Sequence, residues 1–326
     1  MRSGFLPLSI FLSISSLLAQ QASGPVEGFT FDPPTMSLRP VIGSLGSASL
    51  GQPLLEGVAF GSVAPQQDYA LTFREGRCAL VLGLGSAQGS TVRVPGSFVL
   101  PEGVAWSGDG STAILYSRTG NWIQILSGLP SAVNLGASLS VAPLGNLTAV
   151  TTNTHGSQIA IGVTGEAAGV YQVANGVNFA PLLSIAQPIA LAFSDDGGTL
   201  YALDGATGQV FALTMADLVS ESWPLAGLAD PVAIRATHDT ANRAVLYVAG
   251  RNDRLLVAYD SSTHQALASV QLSFQPSGIL PLGVNSFLLG ARTASDDILW
   301  SFRSAPQPIV YFVPAPPVEL RENRSK

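Results

Sequence analysis
Glu56 and Glu102 each stand directly before a Gly-Val-Ala-aromatic run, "EGVAF" and "EGVAW", 46 residues apart. Two carboxylates at matching places in a repeating chain could hold a divalent cation or divide general acid and base work between them. Either role needs other groups to converge: more oxygen ligands for the cation, or a second titrating side chain for proton transfer. The remaining charge gathers in short clusters between apolar runs. These are Arg74, Glu75 and Arg77 in "REGR", then Arg118, Glu166, Asp204 and Asp230, then Arg251, Asp253 and Arg254 in "RNDR", then Ser295 to Asp297. A mixed-charge rim of this kind suits a recognition surface, and solvated loops are polar in any case. His155, His238 and His264 stand in separate turns, with no two spaced as ligands on one strand or helix, and read as surface residues. Cys78 is the lone cysteine, inside "CALVLGLG"; with no base near it in sequence it reads as a small buried apolar group. "GLGSAQG" has no helix after it to cradle a phosphate, and no Gly-x-Ser-x-Gly turn stands between a strand and a helix.

The elements that position these residues are short. Apolar residues make up 47% of the 326, and 34 Gly and 22 Pro break them into brief runs, the pattern of many strands and tight turns. Net charge is −6 and the only lysine is Lys326, so no basic stripe exists to displace counterions from a phosphate backbone; nucleic acid is not an expected partner. No run after residue 20 is long enough for a membrane helix, so no span is expected beyond the N-terminus.

The runs repeat. "PIALAFSDDGGTLYALDGATGQVFALTMADLVSESWPLAGLADP" (Pro188 to Pro231) contains four apolar strands separated by Asp/Gly, Gly and polar turns. The same order recurs from Glu56, Glu102, Leu147, Pro231 and Pro276, with strand starts near Gly57, Gly103, Leu147, Ile189, Val232 and Ser277, 42 to 46 residues apart; the unit from Glu56 reads with a longer first turn. Four strands per unit at this period indicate an all-β fold, a β-propeller of four-stranded antiparallel blades. A two-layer sandwich would not repeat the order six times. Inner strands such as "IALAF" are nearly continuous apolar runs, which fits cover on both faces by neighbouring blades. Trp106, Trp122, Trp223 and Trp300 fall on or beside strands and read as packing between blades. Six full units predict six blades, with seven as the alternative. The hairpin Phe29 to Gly43 is left over and is expected to close the ring by joining the blade that holds Ile309 to Val313.

"PIALAFSDDGGTLYAL" and "PEGVAWSGDGSTAIL" resemble the repeats of bacterial YVTN-type and NHL-type propellers, over about residues 53 to 314. The resemblance implies the fold. It leaves activity open, because such families include binding scaffolds as well as lactonase-like and lyase enzymes. Sites in these propellers lie at the channel mouth, on the face shared by the loops between second and third strands and the connections between blades. Glu56, Glu102, Arg74, Arg118, Asp204, Arg251 and Asp253 are therefore the binding candidates. The resemblance to gluconolactonase-type propellers raises a metal at the mouth. Positions matching Glu56 and Glu102 in later units are Asn146 or Leu147, Pro188, Pro231 and Pro276, too few ligands, so no metal or cofactor is expected. "SDDGG" and "SGDGS" need Asp and Gly only for turn geometry.

At the N-terminus, one Arg, an apolar core from about Phe5 to Leu18 and small polar residues have the layout of a secretory signal peptide, with an uncleaved anchor as the alternative. The expected organisation is a signal peptide over 1–22, an N-terminal segment with the closing hairpin over 23–52, propeller repeats over 53–314 and a loose tail over 315–326. The expected function is a secreted or periplasmic, non-catalytic scaffold that binds a protein, glycan or small molecule at its mouth. A lactonase- or lyase-like enzyme is the alternative, favoured if Glu56, Glu102, Arg118 and Asp204 share one pocket. A structural envelope domain would instead show an apolar rim patch.

Overall fold
The computed structural model describes residues 24–86, 89–96, 99–294, 297–304 and 307–315. The expected signal peptide over 1–22, Ser295, Asp296 and the expected tail beyond Ala315 lie outside the described residues, and no described helix is long and apolar enough to cross a membrane.

The chain forms a seven-bladed propeller of antiparallel four-stranded sheets. Blade 2 consists of Phe60–Val63, Tyr69–Arg74, Arg77–Leu82 and Ser90–Val94. Blade 3 follows as Gly103–Trp106, Thr112–Ser117, Trp122–Ser127 and Asn134–Ser140. Blade 4 is Asn146–Thr152, Ile159–Thr164, Gly169–Ala174 and Asn178–Leu183. Blade 5 is Pro188–Phe193, Thr199–Asp204, Gln209–Thr214 and Ser220–Pro224. Blade 6 is Pro231–His238, Ala244–Gly250, Leu255–Asp260 and Ala266–Gln271. Blade 7 is Leu280–Gly283, Ser286–Leu288, Leu299–Arg303 and Ile309–Val313.

The six expected blades are one too few, and the N-terminal hairpin does not join the blade of Ile309–Val313, which has four strands of its own. Val26–Asp32 and Ser37–Ile42 begin a separate blade 1. Its short strands Ser49–Leu50 and Leu55–Glu56 both pair with Ser37–Ile42, as two halves of one broken row. The physical cause is parity. The inner strand of blade 1 runs opposite to the others: Gly28 lies against Leu282 at the end of blade 7's inner strand, while Phe31 packs on Phe60 at the start of blade 2's. A chain that enters on one face and must leave from the other needs three rows, not four.

Each blade seam has its own apolar cluster, seven among the described residues. The largest joins blades 5 and 6 through fourteen buried residues, including Leu203, Trp223, Leu246 and Tyr259. The blade 1–2 seam has only Phe29, Leu38, Ala70 and Leu84. The most buried strands are the second ones, such as Thr199–Asp204 and Ala244–Gly250, not the inner ones as their composition suggested. A second strand has a strand on each edge and a blade on each face, whereas an inner strand turns one edge to the axial channel; Gly103–Trp106 is half-exposed throughout.

Ring closure adds polar contacts to these thin seams. The Asp32 carboxylate accepts hydrogen bonds from Arg39 of its own blade at 3.2 Å and from Arg292 of blade 7 at 2.9 Å, all three residues buried. The Ser286 hydroxyl donates to Glu27 at 2.6 Å, and the Leu50 amide donates to the Pro314 carbonyl.

Candidate functional site
On the mouth face, the candidate carboxylates are turned onto the backbone. Glu102 accepts from the Ser117 hydroxyl at 2.8 Å and from the Arg118 and Thr119 amides at 3.1 Å, tying the connection into blade 3 to the loop after its second strand. Partial burial opposes its charge, but these hydrogen bonds outweigh it and hold the carboxyl below its usual range. Asp204 is buried and makes the same tie in blade 5: it accepts from the Gln187 and Ala206 amides at 3.0 and 3.1 Å and from the Thr207 hydroxyl at 2.8 Å. In blade 6, Asp253 accepts from the Ala229 and Asp230 amides at 2.7 and 3.0 Å. Asp297 closes the long loop of blade 7, accepting from the Thr293 and Ala294 amides at 2.8 and 2.7 Å.

Glu56 and Glu102 are not equivalent. The Ala59 and Glu102 amides both donate to the carbonyl of the facing second strand, from Phe73 and Tyr116, so Ala59 is the structural match of Glu102 and Glu56 lies three residues earlier. Glu56 is an exposed residue in the last strand of blade 1. The same three-residue offset removes the longer first turn read in blade 2: Ala64 to Tyr69 closes like Ser107 to Thr112.

The arginines point outward. Arg118 and Arg251 are exposed. Arg74 opposes Arg77 across a tight turn in which Glu75 and Gly76 both have positive φ, and its guanidinium lies 4.0 Å from Glu75. Glu102, Asp204 and Asp253 thus have separate partners within their own blades, and none of the seven candidates lines the cavity between blades 5 and 6 or the one beside Phe274 and Trp300.

The opposite face holds contacts that residue-by-residue reading missed. Each histidine meets a carboxylate of the preceding blade: His155 with Asp109 at 3.2 Å, His238 with Asp195 at 2.9 Å and His264 with Glu221 at 3.5 Å. His264 also stacks on Trp223 at 3.8 Å between ring centroids. The signal was available only in part, because His155 and Asp109 fill the same slot of "NTHGS" and "SGDGS" in adjacent repeats. A cavity of about 220 Å³ opens between blades 5 and 6 here, lined by Asp195, Asp196, Tyr201, His238 and Ser261. Ser194 and Gly198 hold Asp196 in its turn, with Gly197 at φ +72°, as expected of a turn aspartate. Among the described residues no three of His, Cys, Asp and Glu group as metal ligands.

Cys78 is buried, and burial pushes its thiol up to about 12, which keeps it protonated and unreactive at neutral pH. The tryptophans pack between blades. Trp106 donates to Ser62 of blade 2 at 2.8 Å, and Trp300 stacks on Phe274 at 4.5 Å.

No protein-family model and no curated protein matches the chain. Solved structures do. One is titled dihydro-heme d1 dehydrogenase NirN in complex with DHE, with TM-score 0.52 and 13% identity over 84% of this chain. The chain spans 57% of that protein's length. Another is titled nidogen/laminin complex, with TM-score 0.49 and 16% identity over 76% of this chain and 92% of that one. At 13% identity the likeness to the first is one of fold, and it agrees with the seven antiparallel sheets of this chain: the chain is a β-propeller.

Proposed function
We propose that this protein is an exported, non-catalytic propeller of the YVTN/NHL type that binds a protein, glycan or small molecule through its mouth-face loops. The observation that carries the reading is the engagement of Glu102, Asp204 and Asp253 with amides of their own blades. Carboxylates used this way stiffen the loops. Glu102, held below its usual range, is ionised at neutral pH and unsuited to general acid work. What the loops present outward is Arg74, Arg118 and Arg251. Rigid loops lower the ordering cost of binding.

The test replaces all three arginines with serine and compares melting and capture of partners from the envelope and secreted fractions. Capture lost at unchanged melting temperature is expected; undiminished capture would remove the arginines from the site. A lactone hydrolysed by the wild type and not by Glu102→Gln would replace this reading with the enzyme one.

A further inference from the structure
Arg235 lies in the inner strand of blade 6, on the side of that strand facing blade 7. Its guanidinium carbon sits 5.7 Å from the centre of the Phe287 ring. Its Nε is sealed from solvent with no hydrogen-bond acceptor, and neither terminal nitrogen has an acceptor or an ion pair among the described residues. Elsewhere this chain treats its arginines differently. Arg39 and Arg292, the two fully buried ones, share the Asp32 carboxylate, and every other described arginine is exposed. Arg235 alone is half-buried without a carboxylate. Burial pushes its pKa down, opposed only by the more distant charge of Asp195, which is itself hydrogen-bonded to His238. A guanidinium is a five-donor fork that burial penalises unless an acceptor is supplied.

Arg235 is half-buried, so part of its side chain reaches solvent, and it stands on an inner strand, the one whose free edge borders the axial channel. We propose that Arg235 is the anchor of a carboxylate-binding site in the channel, taking a small organic acid whose apolar part packs beside Phe287. A carboxylate matches the fork in two parallel hydrogen bonds, and the ring offers an apolar flank. This site is separate from the mouth-face loops and does not depend on the function proposed for them.

The experiment is a thermal-shift and calorimetric titration of the full chain at constant ionic strength, with chloride replaced by benzoate or by acetate. The wild type should gain melting temperature and bind benzoate more tightly than acetate. Arg235→Gln should lose the response, with affinity down about tenfold or more, and should melt above the wild type in chloride because an unpaired charge is gone. Arg243→Gln, an exposed arginine paired with Asp239, should respond like the wild type. If Arg235→Gln does not fold, Arg235→Lys keeps the charge without the fork and should bind more weakly. A wild type indifferent to both carboxylates, or a response equal in the wild type and the Arg235 variant, overturns the proposal.

Discussion

Asp32 shows how much one residue can decide. It is 1% exposed and serves two buried guanidiniums, one of them 260 residues away in sequence. Removing its charge leaves Arg39 buried without the carboxylate it pairs with and takes one ion pair from Arg292, so Asp32→Asn should cost about 3–5 kcal/mol in urea unfolding. A loss below about 1 kcal/mol would mean that water supports the arginines. Acid should act through other aspartates. Partial burial pushes the Asp109 carboxyl up, yet Ser107, Ser111 and His155 hold it down at about 2; Ser262 and Thr263 hold Asp260 at about 2. Both therefore bind protons less readily folded than unfolded, where a carboxyl titrates near 3.9. Their stabilisation is full above about pH 4 and is lost as pH falls toward about 2. The urea midpoint should drop across that window, and a midpoint that rises there would contradict the assignment. Asp109 and Asp196 were legible as turn residues because Gly follows each, while Asp32 was not legible as a seam anchor, because the partner it holds across the seam is 260 residues away in sequence.

At the scale of the strand, the sheet map makes contrasting predictions. Ala192 is buried in the blade 5–6 cluster, so Ala192→Asp places an unpaired carboxylate there and should destabilise by about 3 kcal/mol or more. Asp196→Ala, in an exposed turn, should cost about 1 kcal/mol or less. Equal thermal shifts for the two would count against the strand assignments. Gly28 meets the Leu282 carbonyl so closely that any Cβ would collide with blade 7, and Gly28→Ala should lower the melting temperature more than an average surface change. Repeats with intact "S-x-D-G" turns, as in blades 3 and 5, were readable directly, since the turn sets the register of both strands beside it. Blade 2 lacks that turn, and its Gly-Val-Ala-Phe run matched blade 3 three residues out of register. Blade 1 has only a broken third row, so its pattern never repeated and it was counted as a hairpin.

For the whole molecule, seven seams share the load unequally. Four buried apolar residues join blades 1 and 2, against fourteen between blades 5 and 6. The ring should therefore open first beside blade 1. Amides of Val26–Asp32 and Phe60–Val63 should exchange with deuterium before those of Thr199–Asp204 and Ala244–Gly250, and uniform protection would place the weak point elsewhere. The ring itself is tested most directly by joining its ends. Glu27 and Ser286 are 259 residues apart in sequence and their side chains touch at 2.6 Å. In a Cys78→Ser background, Glu27→Cys with Ser286→Cys should give an intramolecular cross-link with a short bis-maleimide, read by mass spectrometry of the intact chain and its peptides. A closed ring of seven blades predicts one dominant 27–286 linkage in the monomer. Cross-linking only between separate molecules, or none at all, would contradict it.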